Sequence, residues 1–360
     1  MVWKQTNNSN SDGSTDESSI KRSLSDNEHE ENVSFSVPDK NEVDLRKFSA
    51  DSSSYKQNFT PSSALIKDNQ IAFDTSELLG HVRSILHGAR LKIPGESNYN
   101  MSSLQTFCYG IQQLLDSVNY KPASEIEICE ALEFKSYIAF HNKICIKLSE
   151  ALMYSSQFCD LSKHDKTVLY NHLSPFFLQI ERVYSSFLVF GIDSRTLILF
   201  DDCQAFDENF AIFSDSELPE YSKKKLFNLY KNCNDFLLNQ LYLPLKSLNL
   251  DSTEFSFFIA IFLFSVEDLV DISEEGKQAC SRIVKVLNDD MHNYYVFSKN
   301  KIDYAHRITE IVRLISKTSC YVSKKADMVS VTQLMGVFDI STIYLNKLKE
   351  DNPLLNYLKS

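Results

Sequence analysis

An all-α domain is what this sequence predicts, and three observations carry the prediction. From about Phe73 onward apolar residues recur at spacings of three and four, the period of a helix with one face in a core. Gly and Pro number only 8 each in 360 residues, too few for the many tight turns of a β architecture. A single short run, Leu197 to Phe200 between Arg195 and Asp201-Asp202, reads as a strand, so one small β-hairpin is expected beside the helices.

Residues 1–70 are different material, rich in Ser, Asn, Asp and Glu, as in Ser9-Asn10-Ser11-Asp12 and Glu28-His29-Glu30-Glu31. Their sparse, aperiodic apolar positions bury too little surface to offset chain entropy, so a disordered tail is expected there and a single folded domain over 71–360. Asp74 and Ser76 can cap a first helix with Leu78, Leu79, Val82, Ile85 and Leu86 on one stripe. After the Pro94-Gly95 turn, Ser102 to Val118 places Leu104, Phe107, Ile111, Leu114 and Leu115 at helical spacing. A long third helix is expected from Glu125 to about Phe158, apolar over more than one face, as a central helix must be.

The next helix, Lys166 to Phe190, contains Pro175, which predicts a kink or two abutting helices. Gly191 ends it. Further helices are expected at about Tyr221–Leu241, Asp251–Phe264, Glu274–Asn293, Ser298–Val322 and Met328–Leu348, making about ten in all. No internal repeat at a solenoid period is visible.

The formal charge of −11 excludes a surface that holds nucleic acid by bulk electrostatics. The most apolar run, Phe255 to Val266, is shorter than the roughly 20 residues a membrane span needs, so no membrane association is expected. Met1 to Asn10 are polar and cannot serve as a secretory signal. None of the eight cysteines forms a CxxC pair, so no zinc knuckle or other metal site is expected. Reduced core thiols point to the cytosol or nucleus. No cofactor motif is present: GxSxG, P-loop, GxGxxG and HExxH are all missing. His164-Asp165 and Asp289-Asp290 with His292 are better explained as helix-end capping than as catalytic groups, so no enzyme is expected.

Phe158-x-x-Leu161-x-x-x-Asp165-Lys166-x-x-Leu169 then makes the reading specific. Phe158 and Leu161 can drop into the core from a turn, Asp165 sits where a helix start favours negative charge, and Leu169 restarts the apolar stripe. This block resembles the signature of nuclear hormone receptor ligand-binding domains. Three further blocks follow in that family's order: Leu245-x-x-Leu248-x-Leu250-Asp251-x-x-Glu254-Phe255, Ser273-Glu274-Glu275-Gly276 with Asn293-Tyr294-Tyr295, and Tyr304-Ala305-His306-Arg307-Ile308. The divergent nematode-type receptors look most similar.

The resemblance implies a three-layer helical sandwich and a nuclear transcriptional regulator, present also in the cytoplasm on some readings. It further implies an apolar ligand cavity and an ion pair between Glu254 and Arg307. By family geometry the cavity would be lined by Phe140, Ile144, Leu148, Phe177, Ile180, Val183, Phe187, Leu199, Phe200, Ile311 and Leu314, although plain core is the competing role for each. A groove for coregulator helices would involve Met153, Leu354, Leu355, Tyr357 and Leu358. Two departures matter. Met153 stands where the family has a clamp lysine and Tyr357 where it has a glutamate, and Lys147 and Lys163 nearby do not replace the lysine. The first cysteine is Cys108, so the paired cysteines of a zinc DNA-binding module are missing and direct DNA binding by this chain is not expected.

Two readings stay open. One is a regulator that binds a small lipophilic molecule, with a coregulator or another receptor as partner and homo- or heterodimers available to it. The other is a ligand-free dimerisation or adaptor module whose cavity is filled by side chains, which 25 Phe and 17 Tyr favour. A helical adaptor outside transcription, using the tail as its contact segment, is a third.

Overall fold

Capping residues fix where five of the helices begin. The computed structural model describes residues 64–334, apart from 68–69, 74–75, 99, 193, 208, 210–211 and 215–219. Two short strands, β1 (Ala64–Lys67) and β2 (Gln70–Phe73), pair antiparallel ahead of helix α1 (Ser76–Leu86). β1 thus lies inside the stretch expected to be structureless, most of which falls outside the described residues. In α2 (Ser103–Val118) a capping box closes the first turn: Ser102 Oγ accepts from the Gln105 amide, and Gln105 Oε1 accepts from the Ser102 amide. Asn119, at φ 58°, ends it in the left-handed conformation that asparagine tolerates.

The long third helix is shorter than the sequence suggests. β3 (Glu127–Ile128) and β4 (Ala131–Leu132) precede α3 (Phe134–Leu152), and Met153, Tyr154 and the N-cap Ser155 separate it from α4 (Ser156–Cys159). The apolar letters at Ile126 and Ile128 alternate with Glu127, a strand period that a helical count absorbs without notice. α5 (Lys163–Phe190) starts on Ser162, whose Oγ accepts from the Asp165 amide, and runs unbroken through Pro175. Two abutting helices do not occur. Leu173, Phe176 and Phe177 are fully buried on either side of the proline, and that packing offsets the roughly 3 kcal/mol a mid-helix proline costs.

The expected hairpin forms from β5 (Leu197–Leu199) and β6 (Gln204–Asp207), with Ile198 opposite Phe206. Asp201 Oδ1 accepts from the amides of Cys203 and Gln204 and shapes its turn. The sheet is larger than one hairpin, because β3 adds parallel to β6 to make three strands, and β4 pairs parallel with β7 (Ile212–Phe213) in a separate two-stranded sheet.

Helix α6 (Glu220–Phe236) continues through a π-helical turn at Leu237–Tyr242 into α7 (Leu243–Leu248). α8 (Ser252–Phe264) begins on a second capping box, Asp251 with Glu254. α9 (Glu274–Asn293) is capped by Ser273 and prolonged by a wide turn over Tyr294–Ser298. α10 (Ala305–Leu334) is one helix where two were expected, starting seven residues later than the Ser298 boundary because that wide turn and Asn300, at φ 50°, intervene. No Gly or Pro stands between Val322 and Met328 to break it. The expected helix to Leu348 lies largely outside the described residues.

α5 and α8 form the middle layer of this three-layer helical sandwich. α1, α2 and α3 cover one side, and α7 and α10 the other. Phe255, Phe258, Ile259 and Leu263 of α8 are fully buried, which explains why that helix carries no polar face. α2 and α3 cross closely enough that a Cβ on Gly110 would lie 2.2 Å from the Ala151 carbonyl oxygen, so only glycine fits there. Among the described residues no helix is long and apolar enough to cross a membrane.

Candidate functional site

Four helices and the hairpin converge on a small interior cavity of about 20 Å³, lined by Tyr137 of α3, Arg182 of α5, Phe200 and Phe206 of the hairpin, Tyr230, Cys233 and Asn234 of α6, and Tyr321 and Lys325 of α10. It is built around charge. The Lys325 ammonium, on a residue only 5% exposed, donates to Tyr137 Oη at 2.7 Å and to Gln179 Oε1 at 2.9 Å. The Arg182 guanidinium and the Lys325 Nζ stand 5.9 and 5.3 Å from the centre of the Tyr137 ring, within range for cation–π attraction. Tyr137 also stacks on Phe200 at 5.2 Å.

This environment moves the ionisable groups around it. Burial, opposed by the nearby Tyr137, lowers the Lys325 pKa below the ordinary lysine value. Burial, then the positive charges of Lys325 and Arg182, hold His141 well below the ordinary histidine value. A neutral His141 donates through Nδ1 to the Tyr137 carbonyl, 2.8 Å away, which leaves Nε2 without a partner. Burial also pushes Tyr230 well above the phenol range. One position along α5, Glu181 turns the other way and accepts from Tyr120 Oη and Ser185 Oγ, both at 2.7 Å.

Of the residues proposed from family geometry to line a cavity, Phe200 lines this one. Phe140, Ile144, Leu148, Phe177, Ile180, Val183, Phe187 and Ile311 are buried in the main core. Leu199 packs with Ile126 and Ala205 in a separate small cluster. Leu314 is buried in the main core and also lines an outer groove of about 190 Å³ with Pro244, Ser247, Leu248, Glu310, Arg313 and Lys317. Met153 is 1% exposed at the end of α3, with its sulfur 3.9 Å from Cys159 Sγ, so it faces the core rather than an outer groove. Leu354, Leu355, Tyr357 and Leu358 lie outside the described residues. Lys147 is engaged by Glu150 at 2.7 Å.

The signature residues Phe158, Leu161, Asp165, Lys166 and Leu169 are all buried. The Glu254 carboxylate meets Arg307 Nε and Nη2, and it accepts from Tyr295 Oη at 2.7 Å. Arg307 also donates to the carbonyls of Leu248 and Asn249 at 2.9 and 3.2 Å, so one guanidinium ties the end of α7 to α8 and α10. Its hydrogen bonds to Glu254 raise its pKa further.

The acid and imidazole groups with enzyme-like spacing have structural partners. His164 Nε2 lies 2.8 Å from the Asp271 carbonyl, Asp290 accepts from the Leu104 amide, and His292 meets Tyr304 Oη. Asp201, Asp202 and Cys203 bring three donor atoms together at the hairpin turn. Asp201 is occupied by the turn amides and Asp202 by Lys143 at 3.6 Å, so hairpin closure accounts for the cluster.

The sequence reading missed Tyr137, Arg182, Tyr230, Asn234 and Lys325. The available signal was a polar or charged letter on the apolar stripe of a long helix.

The model of the family described as ligand-binding domain of nuclear hormone receptor matches residues 122–335. The chain is 19% identical to nuclear hormone receptor family member nhr-213 of Caenorhabditis elegans over 326 residues, 86% of this chain and 75% of that protein. It is 26% identical to family member nhr-150 of the same organism over 164 residues, 44% of this chain and 45% of that protein. Among solved structures it is similar to the Ultraspiracle ligand binding domain from Drosophila melanogaster, with TM-score 0.44 and 13% identity over 70% of this chain and 99% of that one.

Proposed function

Since the chain belongs to the nuclear hormone receptor family by its ligand-binding domain, we propose that it is a nuclear transcriptional regulator acting through protein contacts made by its helical domain, with an interior largely filled by its own side chains. One observation carries this reading. The central cavity measures about 20 Å³, against the roughly 300–1,000 Å³ of sites that enclose a lipophilic ligand. Phe200, Phe206, Tyr137, Tyr230 and Tyr321 occupy the space between the helices.

The partner under this reading is a second receptor-type domain or a coregulator. The surface of α10 supports it, because Val312 there is an exposed apolar residue, 48% open. Sedimentation velocity of the full chain, alone and mixed with other receptor ligand-binding domains, tests the proposal. A dimer or mixed complex that Val312→Glu abolishes is expected. So is altered reporter transcription when the chain is tethered to a heterologous DNA-binding domain. A monomer that captures no receptor domain and leaves the reporter unchanged would overturn it.

A further inference from the structure

We propose that Ser194 is a phosphorylation site, with Lys246 as the receiver of its phosphoryl group. Ser194 lies in the connection between α5 and β5, outside any helix or strand. Gly191, at φ 77°, turns the chain off the end of α5 in a conformation that favours glycine. Ile192 and Arg195, on either side of Ser194, are exposed, so the segment lies at the surface, where a protein kinase can grip it in extended form. Behind it stands α7. Lys246 Nζ donates to the Ser194 carbonyl at 2.6 Å and to Ser194 Oγ at 3.1 Å, so ammonium and hydroxyl are already in contact.

Two buried groups beside that hydroxyl lack what a phosphate supplies. Lys246 is 8% exposed, and among the described residues no carboxylate meets it; apart from Ser194 it has the face of the Tyr242 ring, centred 5.7 Å from Nζ. A lysine this deep is ordinarily paired with an anion. Tyr242, on the π-helical turn before α7, is fully buried, and its Oη makes no hydrogen bond although the Ser194 hydroxyl and the Leu197 backbone lie beside it. A buried hydroxyl left unmatched calls for an acceptor. A phosphoryl group brings three acceptor oxygens and a charge of about −1.5 to −2 near pH 7.

In the transfer, Ser194 Oγ attacks the terminal phosphorus of a nucleoside triphosphate. The bond from that phosphorus to its bridging oxygen breaks, the nucleoside diphosphate leaves, and the hydroxyl proton passes to the kinase's base. That proton is the one Ser194 donates to the Gly191 carbonyl at 3.0 Å, so this bond is given up. The carbonyl end of α5 also disfavours negative charge nearby, but a full ammonium at hydrogen-bonding distance outweighs the partial charge of a helix end. Modification thus fastens the α5–β5 connection to α7 by a charge-assisted bond.

The inference rests on this loop and not on the partner reading, so the two can fail separately. The full chain is incubated with eukaryotic cell extract and ATP, and mass spectrometry is expected to place phosphate on the peptide bearing Ser194, lost in Ser194→Ala. The full chain is then made with genetically encoded phosphoserine at position 194. It is expected to melt several degrees above the unmodified chain, and the same pair carrying Lys246→Met is expected to show no such rise. Phosphorus NMR reads the phosphate itself and keeps the test decisive if Lys246→Met fails to fold. The second ionisation, near pH 6 in a free phosphoserine, is expected to fall below that value beside the ammonium and to return to it in urea. Phosphate on other residues but never on Ser194, a phosphoserine chain that melts no higher than the unmodified one, an equal rise in both backgrounds, or a phosphorus titration unchanged by urea would overturn the inference. Sedimentation of the same samples reads the partner proposal independently.

Discussion

Asp165 and Ser273, 108 residues apart, are joined twice: the carboxylate accepts from the Ser273 amide at 2.9 Å and from its hydroxyl at 2.8 Å. Ser162 Oγ adds a third bond at 2.7 Å, so one carboxylate fastens the start of α5 to the start of α9. Burial alone would raise the Asp165 pKa, but the amide and hydroxyl bonds outweigh it and leave the pKa below the ordinary value. The folded state therefore binds this proton less tightly than the unfolded chain. Its contribution to stability is full above the unfolded aspartate pKa of about 3.9 and is lost as pH falls through the lower folded value. Asp165→Asn is expected to lower stability by about 1.5–3 kcal/mol at neutral pH, the range for bonds to a charged group. Urea midpoints recorded from pH 7 to 3 check this. The variant should sit below the wild type at pH 7 and the gap should narrow below pH 4.

The same carboxylate makes Gly276 obligatory. A Cβ there would lie 2.8 Å from Asp165 Cγ, and the three bonds leave that group no freedom to move aside. At Gly110 the obstacle is backbone, the Ala151 carbonyl oxygen at 2.2 Å. Gly276→Ala should cost about 1–3 kcal/mol, as overpacking does. Gly110→Ala should cost more, because two helices must separate. Chemical denaturation ranks them, and a milder effect at Gly110 would contradict the close crossing of α2 and α3.

Glu254 is buried, and Arg307 is its charged partner across α8 and α10. Removing Arg307 leaves the buried Glu254 charge uncompensated, at about 3–5 kcal/mol, whereas the guanidinium left by Glu254→Ala is partly exposed to water. Arg307→Ala should therefore be strongly destabilising and Glu254→Ala less so, and the double variant should fall well short of their sum. Additive effects in a double-mutant cycle would show that the contact does not carry energy.

How much of this was legible in the sequence depends on where the deciding partner lies. Asp251, Glu254 and Ser273 could be recognised as capping residues because a cap is settled within four positions of chain. The bounds of α9 follow from such local signals. β3 and β4 did not, since their ladders are completed by Gln204–Ala205 and Ile212–Phe213, remote in sequence. Lys325 sits in Ser323–Asp327, a polar stretch that reads as a gap between helices, and only its tertiary bonds to Tyr137 and Gln179 reveal that it points inward. Arg182 and Asn234 were hidden for the same reason: a polar letter on a helix is read as solvent-facing unless the neighbouring helix is known. Family geometry offered α3, α5, the hairpin and α10 but not α6, and of the residues it offered only Phe200 lines this cavity.

His141 offers a test of that charged interior. Burial and the charges of Lys325 and Arg182 keep its folded pKa well below the ordinary value, so the folded state holds the ring neutral while the unfolded chain takes up a proton near pH 6.5. Proton uptake by the unfolded state alone makes stability full above that pH and progressively smaller below it. His141→Gln keeps a polar group of similar length and removes the titration. The wild type should lose stability steadily between pH 6.5 and 5, by up to about 1.4 kcal/mol per pH unit, and the variant should lose distinctly less over the same interval. Carboxylates such as Asp165 contribute little there, because their transitions lie lower. Parallel slopes for the two proteins between pH 6.5 and 5 would mean that the ring is protonated in the fold, and with it that the positive potential assigned to Arg182 and Lys325 is already neutralised.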